Sequence, residues 1–340
     1  MDMVRFIPDV EPKRVVGVLS ETIDWGQKFM GVDAYRTNAN TTGSGVKVAI
    51  LDTGVDPNHP DLKPNLVDSV DFTGDARLLH GHASHVAGIA GAKADGVGIV
   101  GVAPDCSLYS VRVLDADGLC PGDYSWIIKG FEWSIDSKVD VINLSLGSPA
   151  EPPQELRSLI LKAVNSGIIV VSAGGNEGQK QLNWPARYEE VISVAALDKN
   201  GKIATFSNVG DHLTTAAPGV DIYSTWVGGG YAQESGSSMS SPFVAGIVAL
   251  MLSYHRNGGD HDTPLTNYRE AIVHLNVFAQ PGPLVTESGD PLNIGLLNFN
   301  QVIAKSMAQN HQVEAKLEGV SKWRVDLYGW LHSILRKVII

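Results

Sequence analysis

Three short segments carry residue types capable of nucleophilic chemistry at their positions. In VAILDTGVD, Asp52 follows an apolar, strand-like run and precedes a turn glycine; in GHASHVAGIAG, His82 and His85 stand three apart before a run of small residues. In GSSMSSPFVAGIVALML, serines that include Ser238 lead into an apolar helix expected to hold Pro242 in its first turn. A carboxylate, an imidazole and a hydroxyl are the parts of an oriented general base and its nucleophile. Each segment alone also has a plain structural reading. Asp52 would serve as an N-cap or turn residue, and the serines as a helix cap. The two histidines would suit a metal site only with a third ligand, and none follows at zinc-like spacing. One of the pair reads better as a base and the other as a hydrogen-bonded structural residue. A serine at a helix start has unpaired N–H groups and the positive end of the helix dipole beside it, which suits a developing oxyanion.

These groups need a scaffold that sets them side by side. From Val46 onward, apolar runs of strand length (VKVAIL, SLYSVRVL, VDVINLSL, IIVVSAGG, VISVAAL) alternate with amphipathic runs of helix length. Such alternation predicts an α/β fold: a doubly wound, mainly parallel sheet with helices on both faces. Between Tyr124 and Lys138, Ile127, Ile128, Phe131 and Ile135 recur at helical spacing and form one buried stripe. In doubly wound sheets ligands bind beyond the carboxyl ends of the strands, and the polar ends here are Asp52, Ser145 and Asn176. No linker divides the chain before about residue 280, where QPGPLVTESGDP reads as a loop.

The 340 residues, 44% of them hydrophobic and 19% charged, can bury a sizeable core. The 26 basic against 37 acidic side chains leave a net charge of −11, which argues against nucleic acid and against anionic lipid as partners. The N-terminal MDMVRFIPDVEPKR lacks the apolar core of a secretory signal, and no run approaches the roughly 18 apolar residues that span a bilayer. Cys106 and Cys120 are too few for a disulfide framework and read as free thiols. A cytoplasmic location is the expectation.

Taken together, in the order Asp, His, Ser, the segments resemble the subtilisin family of serine proteases: LDTGVDPNHPDL its aspartate motif, HASHVAG its histidine motif and GSSMSSP its serine motif. The resemblance implies a serine endopeptidase with Asp52, His82 and Ser238 as its triad, His85 matching a second, noncatalytic histidine. VVSAGGNEG resembles the segment that supplies the family's oxyanion asparagine, here Asn176. Ser145, Leu146 and Gly147, with Ala173, Gly174 and Gly175, resemble the two strips that line the substrate cleft, the first pairing with extended peptide or protein substrates. NIGLLNFNQVIA resembles a run near the end of the family's catalytic domain. Departures concentrate at the histidine, with Ala83 for glycine, Ser84 for threonine and a short loop from Phe72 to Gly81. If position 83 needs a positive φ, alanine there is strained.

The same resemblance implies structural calcium (Ca2+). Asp61 matches a ligating aspartate, Asp95 would add a side-chain oxygen, and Lys93, Val97 and Ile99 would add carbonyls, with Glu21 a further candidate. Asp95 before glycine is equally good turn chemistry. VRFIPDV resembles the short inhibitory extension of the intracellular branch, in which Pro8 would displace the scissile bond while Phe6 and Ile7 fill subsites. A merely packed terminus is the plain alternative.

The expected organisation is an extension over 1–24, a catalytic domain over 25–305 and an amphipathic helical tail over 306–340. In that tail Trp323, Leu327, Trp330, Leu331, Ile334, Leu335 and Val338 share one face. Packing on its own domain or a homodimer contact is the simpler reading of this face, and membrane attachment the other. Two competing functions stand beside the protease. One is a peptide-binding module whose altered HASH segment has lost catalysis; the other is a membrane-associated scaffold carried by the tail.

Overall fold

Aliphatic runs bounded by glycine and polar turns form strands, and the amphipathic runs between them form helices, in a computed structural model that describes residues 3–7, 13–15, 20–259, 265–277, 284–285, 291–292 and 299. Strands β1 (Met3–Arg5) and β2 (Lys13–Val15) come first, followed by helices α1 (Trp25–Met30) and α2 (Val32–Ala39). The central layer and its covers are β3 (Lys47–Asp52), β4 (Leu66–Asp71), α3 (Gly81–Gly91), β5 (Ser107–Arg112), β6 (Leu119–Pro121), α4 (Ser125–Asp136), β7 (Val141–Leu144), α5 (Gln154–Asn165), β8 (Ile169–Ala173), β9 (Ile192–Leu197) and β10 (Thr215–Pro218). Then come β11 (Ile222–Trp226), β12 (Gly230–Glu234), α6 (Ser237–Arg256), α7 (Tyr268–Val277), β13 (Leu284–Val285) and β14 (Pro291–Leu292).

Seven strands pair in the order β10-β9-β8-β7-β3-β5-β4, every pair parallel. The pleat of β3 shows how both faces are filled. Val48 and Ile50 point into a core shared with α3 and α6, while Ala49 and Leu51 point into a second core shared with α4 and α5. A strand buried on both faces has no polar position to spare, so the apolar run is continuous until Asp52. The expected doubly wound sheet with helices on both faces is therefore present. From β3 the chain passes to the edge at β4, fills the gap between them with β5, then crosses to the other side of β3 at β7. The order reverses beside β3, and a crevice opens there at the carboxyl ends of β3 and β7.

Some local expectations need correction. Helix α6 starts at Ser237, so Pro242 is its sixth residue and does not lie in the first turn. A proline there removes the N–H that would have bonded the carbonyl of Ser238. The hydroxyl of Ser145 donates to that carbonyl at 2.8 Å instead, which keeps the helix intact. Ala83 lies inside α3, fully buried and absent from the positive-φ residues, so alanine brings no left-handed strain at that position. The segment read as a loop near residue 284 contains the antiparallel pair β13 and β14. By length and composition α6 is apolar enough to cross a membrane, yet 94% of its apolar window is buried in the core. Cys106 and Cys120 are free and buried, and burial pushes both thiols up to about 12. Pro8, the Gly295 to Asn298 run and the 306–340 tail lie outside the described residues.

Candidate active site

Asp52 ends β3 with no solvent exposure. Its Oδ1 accepts from the Thr53 amide at 2.6 Å, and both carboxylate oxygens lie within hydrogen-bond reach of His82 Nδ1, at 2.9 and 3.0 Å. That pairing places the Nδ1 proton toward Asp52 and leaves Nε2 as the basic nitrogen. His82 sits in the first turn of α3, where the ring of the N-cap residue His80 accepts from its amide at 3.2 Å. Gly81 lets this turn press against β11, because a Cβ there would come within 2.0 Å of the Trp226 ring. Burial alone would lower the His82 pKa, but the charge of Asp52, its hydrogen bond and the charge of Glu234 together raise it above the ordinary histidine value.

His85 has a different environment. Its Nε2 donates to the carbonyls of Ile222 at 3.0 Å and Ala232 at 3.2 Å, and burial pushes it down to about 3, so it stays neutral and ties α3 to β11 and β12. Ser84 is also employed structurally: its hydroxyl accepts from the Asp56 amide at 2.9 Å.

Ser238 is the second residue of α6, 6% exposed, at the amino end of a 20-residue helix. Its hydroxyl donates to the carbonyl of Ser145 at 3.1 Å. Ser145 is itself held by Asn143, whose Nδ2 donates to Ser145 Oγ at 2.9 Å. Asn176 follows β8, and its Oδ1 accepts from the Ser237 amide at 2.8 Å. With that oxygen fixed, the Nδ2 end of the amide is available to the cleft beside the backbone N–H of Ser238, the two-donor arrangement that stabilises an oxyanion.

Two cavities meet at these residues, and Ser238, Asn176 and Ile7 border both. The larger, of about 180 Å³, runs between Leu146–Gly147 on one wall and Ala173 and Gly175 on the other, with Asn183 and Glu177 among its lining. Gly174, the remaining member of the second strip, is buried behind that wall. The smaller is bounded by His80, His82, Glu234 and Met239. Burial pushes the Glu234 carboxyl up to about 7, against the opposing pull of His82. Sequence reasoning missed Glu234, Glu177 and Asn183. Glu234 was discoverable as an acidic residue four positions before the candidate nucleophile.

Arg5, Phe6 and Ile7 of the N-terminal segment form part of the wall of the larger cavity. Strand β1 pairs antiparallel with β6, Phe6 N donates to Gly118 O at 3.0 Å, and Gly147 N donates to Phe6 O at 3.2 Å. The Phe6 ring is 4% exposed and meets Tyr124 edge-on at 5.1 Å; Ile7 is 5% exposed. Beyond the cleft, β2 pairs with β12.

At the calcium candidate, Asp61 is 1% exposed and accepts from Ile99 N at 2.8 Å and from the Tyr231 hydroxyl at 3.0 Å. Gly98, at φ +68°, allows the 93–99 loop to wrap this carboxylate, since a Cβ there would come within 2.1 Å of it. Glu21 Oε1 accepts from Gly96 N at 2.8 Å, and Asp95 Oδ1 from Val97 N at 3.3 Å. Among the described residues no three carboxylate, imidazole or thiol groups converge closely enough to hold a metal by themselves. The donor set is nevertheless all oxygen, the chemistry calcium takes, provided that the carbonyls of Lys93, Val97 and Ile99 contribute.

Comparison with known proteins bears on the whole arrangement. A model of the subtilase family matches residues 43–291. Subtilisin NAT of Bacillus subtilis subsp. natto is 41% identical over 254 residues, 72% of this chain and 65% of that protein. Subtilisin of Bacillus pumilus is 45% identical over 222 residues, 63% of this chain and 79% of its own length. An intracellular serine protease of Paenibacillus polymyxa is 45% identical over 223 residues, 62% of this chain and 68% of that protein. The chain thus spans about 65% of the length of the first of these relatives.

Proposed function

The chain belongs to the subtilase family, and on that premise we propose that it is a serine endopeptidase acting on extended peptides. The observation that carries the reading is the Asp52–His82 pair at 2.9 Å beside a serine at the start of α6, with the Asn176 amide next to it. In the proposed reaction Asp52 holds the Nδ1 proton of His82, and Nε2 takes the Ser238 proton as its oxygen attacks the scissile carbonyl. The Asn176 amide and the Ser238 N–H bind the oxyanion. His82 then protonates the leaving amine, and water attacking the acyl-enzyme completes hydrolysis. A fluorophosphonate probe tests this directly. Labelling at Ser238 that Ser238→Ala removes is the expected result, and no labelling at all would leave the peptide-binding alternative standing.

The N-terminal segment acts in this proposal as a built-in inhibitor, supported by Phe6 and Ile7 buried in the cleft and by the Phe6 backbone bonded to Gly118 and Gly147 as a substrate strand would be. Calcium at Asp61, with Glu21, Asp95 and the carbonyls of Lys93, Val97 and Ile99, would hold the 93–99 loop against the start of the domain. Its chemistry is structural, and none of the steps above involves it. The two free thiols and the resemblance to the Paenibacillus intracellular protease support action inside the cell.

A further inference from the structure

Glu234 is the last residue of β12, paired in register with Ile222 of β11 and 7% exposed. Its carboxyl has neither a hydrogen bond nor a salt bridge among the described residues, and it opens onto the cavity with the more distant charges of His82 and Asp52 acting on it. It lies with His82 and Met239 on the smaller of the two cavities that meet at Ser238.

The side of the scissile bond that this cavity serves follows from the chemistry. Ser238 and Asn176 border both cavities, so the carbonyl under attack lies between them. The larger cavity carries the edge that pairs with Phe6 and therefore takes the acyl side. His82, which must protonate the departing amine, borders the smaller one, so the residue just after the scissile bond enters there.

We infer that Glu234 selects peptides whose residue immediately after the scissile bond is lysine or arginine, an inference that rests on the endopeptidase reading above. A cationic side chain entering this cavity would pair with Glu234 at close range and hold its carboxyl in the charged form that burial disfavours, in surroundings where water screens little. An acidic residue there would be repelled by ionised Glu234 and could be accepted only by its protonated form. The chain's own Ile7 borders the same cavity and brings only an apolar side chain. Among the described residues of the segment none brings a cation to this carboxylate, whereas a preferred substrate would.

The test uses full-length protein carrying Phe6→Asp, expected to free the cleft, and quenched peptides identical except for lysine, norleucine or glutamate after the scissile bond. Product masses confirm where each is cut. The parent is expected to show kcat/KM for lysine about tenfold above norleucine, and glutamate below both. Glu234→Gln should bring the lysine-to-norleucine ratio to about one, and Glu234→Lys should favour the glutamate peptide, as expected when an attractive charge is removed or reversed. Equal rates on lysine and norleucine in the parent, or a lysine preference that survives Glu234→Gln, would overturn the inference while leaving the endopeptidase intact. Absence of any cleavage together with absence of probe labelling at Ser238 would overturn both.

Discussion

The hydroxyl of Ser238 donates to the carbonyl of Ser145 at 3.1 Å, and among the described residues no hydrogen bond joins it to His82. In the proposed mechanism Ser238 must leave this carbonyl to reach His82, which is already paired with Asp52. Ser238→Ala should abolish probe labelling and lower kcat by on the order of 10⁶, the size known for this serine in subtilisins. Turnover retained within tenfold would remove Ser238 from the mechanism.

Asn176 presents a sharper case, because its carbonyl oxygen is committed to Ser237 N and only the amide nitrogen is left for substrate. Asn176→Leu should lower kcat by about 10²–10³ with little change in KM, the loss known for the corresponding donor in subtilisins. Stopped-flow and steady-state kinetics on one peptide separate the two constants. A change confined to KM would mean that Asn176 only binds.

The pH profile tests His82. Burial lowers its pKa, but Asp52 and Glu234 outweigh burial and hold it above the ordinary value of about 6.5. The base must be neutral to accept the Ser238 proton, so activity is lost as pH falls through this raised pKa. The acid limb of kcat/KM should lie above about 6.5. Asp52→Asn removes the larger raising contributions and leaves the burial, so the limb should move to lower pH while the rate drops by about 10⁴. An acid limb unmoved by Asp52→Asn would assign it to another group.

The scaffold was legible in the sequence because each strand buried on both faces writes a continuous apolar run, and its polar end marks the cleft, as Val48 to Asp52 shows. The start of α6 was harder to place. Proline usually marks a first turn, and only tertiary structure reveals that Ser145 Oγ replaces the hydrogen bond Pro242 cannot make. Ala83 suggested strain by comparison with a motif, yet helical backbone at that position removes the question. Glu177 and Asn183 escaped notice for a related reason. Their role depends on which wall a strand or loop residue faces, and no local pattern encodes that.

Calcium binding predicts a change in stability with no change in the chemistry. Ligand that binds only the folded state stabilises it by about 2.7 kcal/mol at a hundredfold excess over Kd. Chelation should therefore lower Tm, and excess calcium should restore it. Asp61→Ala should abolish the calcium-dependent part of Tm because it removes the buried carboxylate at the centre of the 93–99 loop. Equal Tm with calcium and with chelator in the parent protein would exclude the site.

A single charge at position 6 should release the N-terminal segment. Phe6 is 4% exposed, packed edge-on against Tyr124, and held by backbone bonds to Gly118 and Gly147. Its ring contributes about 1.5–3 kcal/mol of apolar burial, so losing it should weaken the hold of the segment by about 10–100-fold. Phe6→Asp adds the cost of burying a carboxylate where the ring sat, and the segment should leave the cleft. Initial rates on an external peptide should then rise at least tenfold over the parent, with mass spectrometry confirming that both chains are still full length. Equal initial rates would mean that the segment packs in the cleft without restraining the enzyme. A rise that appears only after the parent is cut near its N-terminus would show instead that covalent processing, and not loss of the Phe6 contact, frees the site.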